Sequence, residues 1–110
     1  MASSQVKEST QLKEATEAEL QAVTLTVSSE IARHYFLLRT IDTEQAVVQR
    51  GISLRDSTLK IAEARYAAGL VTHMDVQRAE TEVANARVQL EELNRSRREV
   101  ELSIAVLVGM

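Results

Sequence analysis

The sequence predicts an all-α chain: an antiparallel helical hairpin, coiled-coil-like, with one long helix and one shorter helix. Three observations predict it. Proline is absent and Gly51, Gly69 and Gly109 are the only glycines, so the residues that break helices are almost missing. Apolar residues recur at alternating steps of three and four, the heptad rhythm of helices packed side by side. One stretch, Ala68-Gly69-Leu70-Val71-Thr72-His73-Met74-Asp75, sets a helix stop beside a helix start, which marks an αα-hairpin.

Composition narrows the class. A chain of 110 residues allows one domain at most. Its apolar content is mainly Ala, Val, Leu and Ile, with three aromatic residues, Tyr35, Phe36 and Tyr66. That suits helix seams better than a globular core. The net charge is −3 with both signs interspersed, so nothing suggests an electrostatic footprint for nucleic acid. Without cysteine there is no disulfide, thiol nucleophile or cysteine zinc site. No apolar run approaches the roughly 18 residues of a membrane-spanning helix. Met-Ala-Ser-Ser is followed by neither a basic nor an apolar region, so no signal peptide is expected.

Residues 1 to about 9 are polar and are expected to fray. The long helix is expected over about residues 10–67. Its seam is Leu20, Thr24, Val27, Ile31, His34, Leu38, Ile41, Gln45, Val48, Ile52, Arg55, Leu59, Ala62 and Tyr66. A weaker second stripe runs through Leu25, Ala32, Phe36, Val47, Leu54, Ile61 and Ala68. Two stripes imply neighbours on two sides. Gly51 could bend or break this helix at about 1 kcal/mol relative to alanine, but the seam keeps phase through Val48, Ile52 and Arg55, which favours continuity.

The tip, residues 68–72, follows. Gly69 can take a left-handed conformation and end the first helix. Thr72 is the expected N-cap of the next, with Asp75 placed to reach back to it. The shorter helix is expected over about residues 73–108, on a seam of Val76, Ala79, Val83, Ala86, Leu90, Leu93, Arg97, Val100, Ile104 and Leu107. Its other faces read as polar, with i,i+4 pairs such as Glu91–Arg95.

Folding the arms about the tip pairs Tyr66 with Val76, Leu59 with Val83, Ile52 with Leu90, and Ile41 with Val100. Arg55 faces Ala86, with Glu82 one turn away. Gln45 falls opposite Arg97, and a polar layer of this kind is expected to fix register at some cost in stability. The arms are unequal. Leu107 reaches back only to about His34, so residues from about 10 to 33 lack a partner, although Leu20, Val23, Leu25, Val27 and Ile31 are apolar. At roughly 25 cal/mol per Å², leaving them wet forfeits several kcal/mol. Either another copy of the chain or a segment outside it covers them, and self-association through residues of about 10–33 is expected of the chain alone.

No catalytic, cofactor or metal site is expected. His34 lies on the seam and His73 at the tip, far apart and without carboxylate or histidine partners on a shared buried face. Two slender helices offer no pocket in which catalytic groups converge. Tyr35 and Phe36 read as packing anchors under neighbouring helices. Gly69, Thr72 and Asp75 are accounted for by a helix stop and a capping box. Leu70 and Val71 are not, because exposed apolar residues at a hairpin tip have little structural reason to be there.

Three stretches resemble the first helical hairpin of the TolC-like outer-membrane efflux proteins, in particular their lipoprotein branch. Glu30-Ile31-Ala32-Arg33-His34-Tyr35-Phe36-Leu37-Leu38-Arg39, with Asp42 following, resembles that family's E-[VI]-A-x-x-Y-[FL]-x-L-R run. Ala64-Arg65-Tyr66-Ala67-Ala68-Gly69-Leu70-Val71-Thr72, with Asp75, Val76 and Ala79, resembles its ARYxAGLVTxxDVxxA turn. Leu102 to Gly109 resembles its closing LAVLLG.

The resemblance implies a periplasmic segment of a trimeric outer-membrane export channel. In such channels hairpins line an α-helical duct, and their tips meet the helical hairpins of a periplasmic adaptor, which links to an inner-membrane pump. It implies that a short helix preceding this chain covers residues near 10–33. It also implies adaptor docking by Gly69, Leu70, Val71 and Thr72, and a part for Asp75 in holding the pore closed. The family's membrane strands, lipid-anchoring cysteine and second repeat have no counterpart in these residues. Two alternatives are the hairpin of the adaptor itself, whose Arg-Leu tip pattern fits Arg65 to Leu70 poorly, and a generic coiled-coil scaffold.

Overall fold

The computed structural model describes residues 2–110. It has two helices, α1 (Ala2–Ala67) and α2 (His73–Val108), folded back on each other through residues 68–72. The result is a rod of 101 × 16 × 15 Å. Its length is that of α1, since 66 residues rising about 1.5 Å each span about 99 Å.

α1 runs unbroken through Gly51. It also starts at Ala2, so the expected fraying of residues up to about 9 is not what the structure shows. The physical reason is the absence of any breaker: each residue added to an existing helix gains one hydrogen bond. The hydroxyls of Thr10 and Thr16 turn inward and donate to the carbonyls of Val6 and Leu12, four residues back.

The core is a single seam. Ile41 on α1 and Val76, Ala79, Val83, Ala86 and Val100 on α2 are buried. Val27, Ile31, Leu38, Val48, Ile52, Leu59 and Ala62 line the α1 side and are half-buried. Val27 and Ile31, expected to lack a partner, share a groove with Leu107, Val108 and Met110, so the uncovered part of α1 is shorter than residues 10–33. Four of the expected seam positions are exposed: Leu20 and Thr24 on the overhang of α1, and Arg55 and Tyr66 within the paired region. Tyr66 is largely exposed and turns its ring edge-on to His73, 5.4 Å between centroids. Arg55 is exposed, and a Cβ added at Gly51 would lie 2.8 Å from its Nη1, so its guanidinium folds back along its own helix. Among the described residues it makes no ion pair with Glu82. A solvated guanidinium beside a small alanine loses less than one drawn into the seam.

The second stripe of α1 lies in the open: Leu25, Phe36, Val47, Leu54 and Ile61 are all exposed. α2 is less polar outside its seam than expected, because Val88, Leu102 and Val106 are exposed too. The Glu91–Arg95 pair does not close to within 4.0 Å, whereas Asp56–Lys60 does at 3.4 Å. Exposed pairs of this kind are weak, and side-chain entropy decides which of them form.

Candidate functional site

The tip is built from two helix ends that satisfy each other's needs within five residues. At the end of α1 the Leu70 N–H donates to the Arg65 carbonyl and the Gly69 N–H to the Tyr66 carbonyl, each at 2.9 Å. These are the two bonds of a Schellman cap. Its left-handed residue is Gly69, at φ +74°, the only positive φ among the described residues. At the start of α2, Thr72 is extended (φ −88°, ψ 160°) and closes a capping box with Asp75. The Thr72 N–H and hydroxyl both donate to Asp75 Oδ2 at 3.0 Å, and the Asp75 N–H donates to the Thr72 hydroxyl at 3.3 Å. The backbone hydrogen bond from Thr72 holds the Asp75 carboxyl below the usual carboxylate range, helped by the Thr72 hydroxyl and, less, by Arg78.

A turn pinned this firmly presents side chains rigidly. Leu70, in the turn, is 74% exposed, and Met74, in the first turn of α2, is 66% exposed. Val71, expected to be exposed, is half-buried. Met74 has no place in the sequence reading. Gly69 and Thr72 have structural duties here that account for them fully.

A second cluster crosses the seam about two-thirds of the way along α2. Gln45 and Arg97 both lie at the seam, but neither bonds the other. Gln45 donates from Nε2 to Asn94 Oδ1 at 2.7 Å, and Arg97 donates from Nε to Asp42 Oδ1 at 2.7 Å. Arg97 also pairs with Glu101 through Nη1, and Arg39 stands 3.9 Å from Asp42. The expected direct Gln45–Arg97 contact is thus replaced by two crossed rungs. Both seam residues bring N–H donors, and a carboxylate one turn away is a stronger acceptor for a guanidinium than an amide oxygen. No buried side-chain polar atom among the described residues lacks a partner.

His34 donates from Nδ1 to the Glu30 carbonyl at 2.7 Å, while the Glu30 carboxylate binds Arg33 at 2.9 Å. The Arg33 guanidinium holds the Glu30 carboxyl below its ordinary range. The two histidines are not brought together. Among the described residues no group of three or more His, Cys, Asp or Glu is placed to hold a metal ion, and no helix is long and apolar enough to cross a membrane.

A family model described as outer membrane efflux protein matches residues 1–110. The chain belongs to the outer membrane efflux protein family. This efflux-family hairpin is 28% identical over 95 residues to the pyoverdine export outer membrane protein OpmQ of Pseudomonas aeruginosa. The match covers 86% of this chain and 20% of that protein, so the chain spans about a fifth of its curated relative. No solved structure matches the chain. Membership in this family sets aside the adaptor hairpin and the generic scaffold as readings of the efflux-family tip.

Proposed function

We propose that the chain is a periplasmic segment of a trimeric outer-membrane efflux channel, forming duct wall along its arms and docking a periplasmic adaptor at its tip. The inner-membrane pump is then an indirect partner, reached through the adaptor. One observation carries the docking part: Leu70 in the turn and Met74 in the first turn of α2 are both exposed, at a hairpin end where both helices are capped. A rigid turn needs no apolar side chain in water. A partner helix tip that buried both would gain roughly 25 cal/mol per Å² of apolar surface removed from water. The exposed stripe of Leu25, Phe36, Val47, Leu54 and Ile61 supports the wall reading, since a helix in a barrel has neighbours on more than one side. Gly69 and Thr72 serve docking by shaping the turn. Asp75 serves it by holding the cap, and any part of Asp75 in pore closure acts through the same carboxylate.

The reading is tested by cross-linking in cells that make the protein together with an adaptor carrying a hairpin-tip cysteine. Leu70→Cys is expected to form a specific disulfide, and Glu91→Cys, well up the arm, is not. No disulfide at Leu70 or Met74, with both proteins present and folded, would leave only the wall role.

A further inference from the structure

We infer that the crossed pair Asp42–Arg97 and Gln45–Asn94 is a register-selecting clasp, the element that makes α1 and α2 choose this alignment among several that their apolar seams would accept.

The seams alone discriminate poorly. Both follow a heptad rhythm of small and branched aliphatic residues, so sliding one helix by seven residues again sets apolar against apolar over most of the length. The clasp does not survive such a slide. Moved one heptad in one direction, Gln45 faces Leu90 and Arg97 faces Leu38; in the other, they face Ile104 and Ile52. Each slide strands an amide and a guanidinium against aliphatic side chains, and such groups are costly to desolvate without partners.

The geometry carries the selectivity. Each rung joins a seam residue of one helix to a flanking residue of the other: Gln45 to Asn94, and Arg97 to Asp42, both at 2.7 Å. On each helix the two clasp residues are three apart, so the rungs lie one turn from each other and only one alignment closes both. Arg39 and Glu101 extend the pair into a chain of alternating charges across the seam. The layer is half-buried, with Arg97 and Asp42 side chains 34% and 32% exposed, so water is partly excluded without a full desolvation penalty. The buried Ile41 and Val100 lie immediately beside it, so the clasp interrupts a dry seam. The tip restrains register as well, but it lies more than twenty residues away along either arm. A slide needs only a few residues of α1 or α2 to unwind beside it.

The test is disulfide trapping in the full chain. The I52C/L90C pair reports the native alignment, since Ile52 and Leu90 line one surface groove. The I52C/V83C pair closes only after a one-heptad slide. Each pair is placed in the natural background and in a clasp-free variant, Asp42→Ala, Gln45→Leu, Asn94→Ala and Arg97→Leu. The expected result is severalfold more trapping of I52C/V83C without the clasp, together with an unchanged or raised melting temperature. Equal trapping in both backgrounds overturns the inference, and so does a clasp-free variant that loses its helical signal. The outcome is independent of whether the tip docks an adaptor.

Discussion

Thr72 and Asp75 satisfy each other's backbone donors across the first turn of α2, the Thr72 N–H reaching Asp75 Oδ2 at 3.0 Å and the Asp75 N–H reaching Thr72 Oγ1 at 3.3 Å. The turn and the helix start are therefore one unit. Replacing Thr72 by alanine removes an N-cap hydroxyl, and the expected loss is about 1 kcal/mol of unfolding free energy. Urea denaturation followed by circular dichroism measures it. Thr72→Ser, which keeps the hydroxyl, is expected to retain most of the stability.

The same pair makes the tip sensitive to acid. The folded state lowers the Asp75 pKa, so the carboxylate contributes stability above the unfolded value of about 3.9 and loses it as pH falls through the lower folded value. The natural chain is expected to melt higher than Asp75→Asn near neutral pH. That gap closes below the unfolded carboxylate pKa. Glu30, also lowered, is common to both proteins and leaves the difference untouched. A gap that persists unchanged into strong acid would show that the charge is not what holds the cap.

Two glycines are expected to respond in opposite directions to alanine. Gly51 is helical, and an added Cβ meets only the movable end of Arg55. Gly51→Ala is therefore expected to raise stability by about 0.5–1 kcal/mol. Gly69 sits at φ +74°, and although its Cβ would meet nothing within 4 Å, the backbone itself is strained for any L side chain. Gly69→Ala is expected to cost about 1–2 kcal/mol. Thermal melts of the two variants beside the natural chain decide both.

The overhang of α1 is expected to make the isolated chain self-associate. Leu12, Leu20, Val23 and Leu25 are exposed, and Leu20 and Val23 line an open groove with Val27, Ile31 and Leu107. Light scattering at rising concentration is expected to show dimers or larger species, and Leu20→Gln with Leu25→Gln is expected to shift them toward monomer. A strictly monomeric chain at high concentration would count against this.

Much of the fold was legible because its rules are local. The missing prolines, the three-and-four rhythm and the glycine followed three residues later by threonine each act within a few residues. Together they determine two helices, the ends that meet at the tip and the faces they turn to each other, but not the start of α1 at Ala2. The stop at Gly69 and the capping box of Thr72 and Asp75 needed no tertiary information, because both are hydrogen-bond closures within one turn.

What lay beyond the sequence is pairwise and long-range. Heptad arithmetic set Gln45 opposite Arg97, yet which acceptor each donor takes depends on groups fifty residues away that flank the seam. Only the folded chain shows Asn94 and Asp42 within reach. In the same way, the sequence pointed to Leu70 and Val71 as the exposed apolar residues of the tip and passed over Met74. Whether an apolar residue beside a turn is exposed depends on how the turn sits over the first rung of the seam. The tertiary structure half-buries Val71 and leaves Leu70 and Met74 exposed. By itself the sequence determined that two helices form, where they stop and which faces meet, since backbone hydrogen bonding and amphipathic period are read along the chain. The tertiary structure decided which side chains face each other across the seam and which are left over for a partner, since those are distances in space.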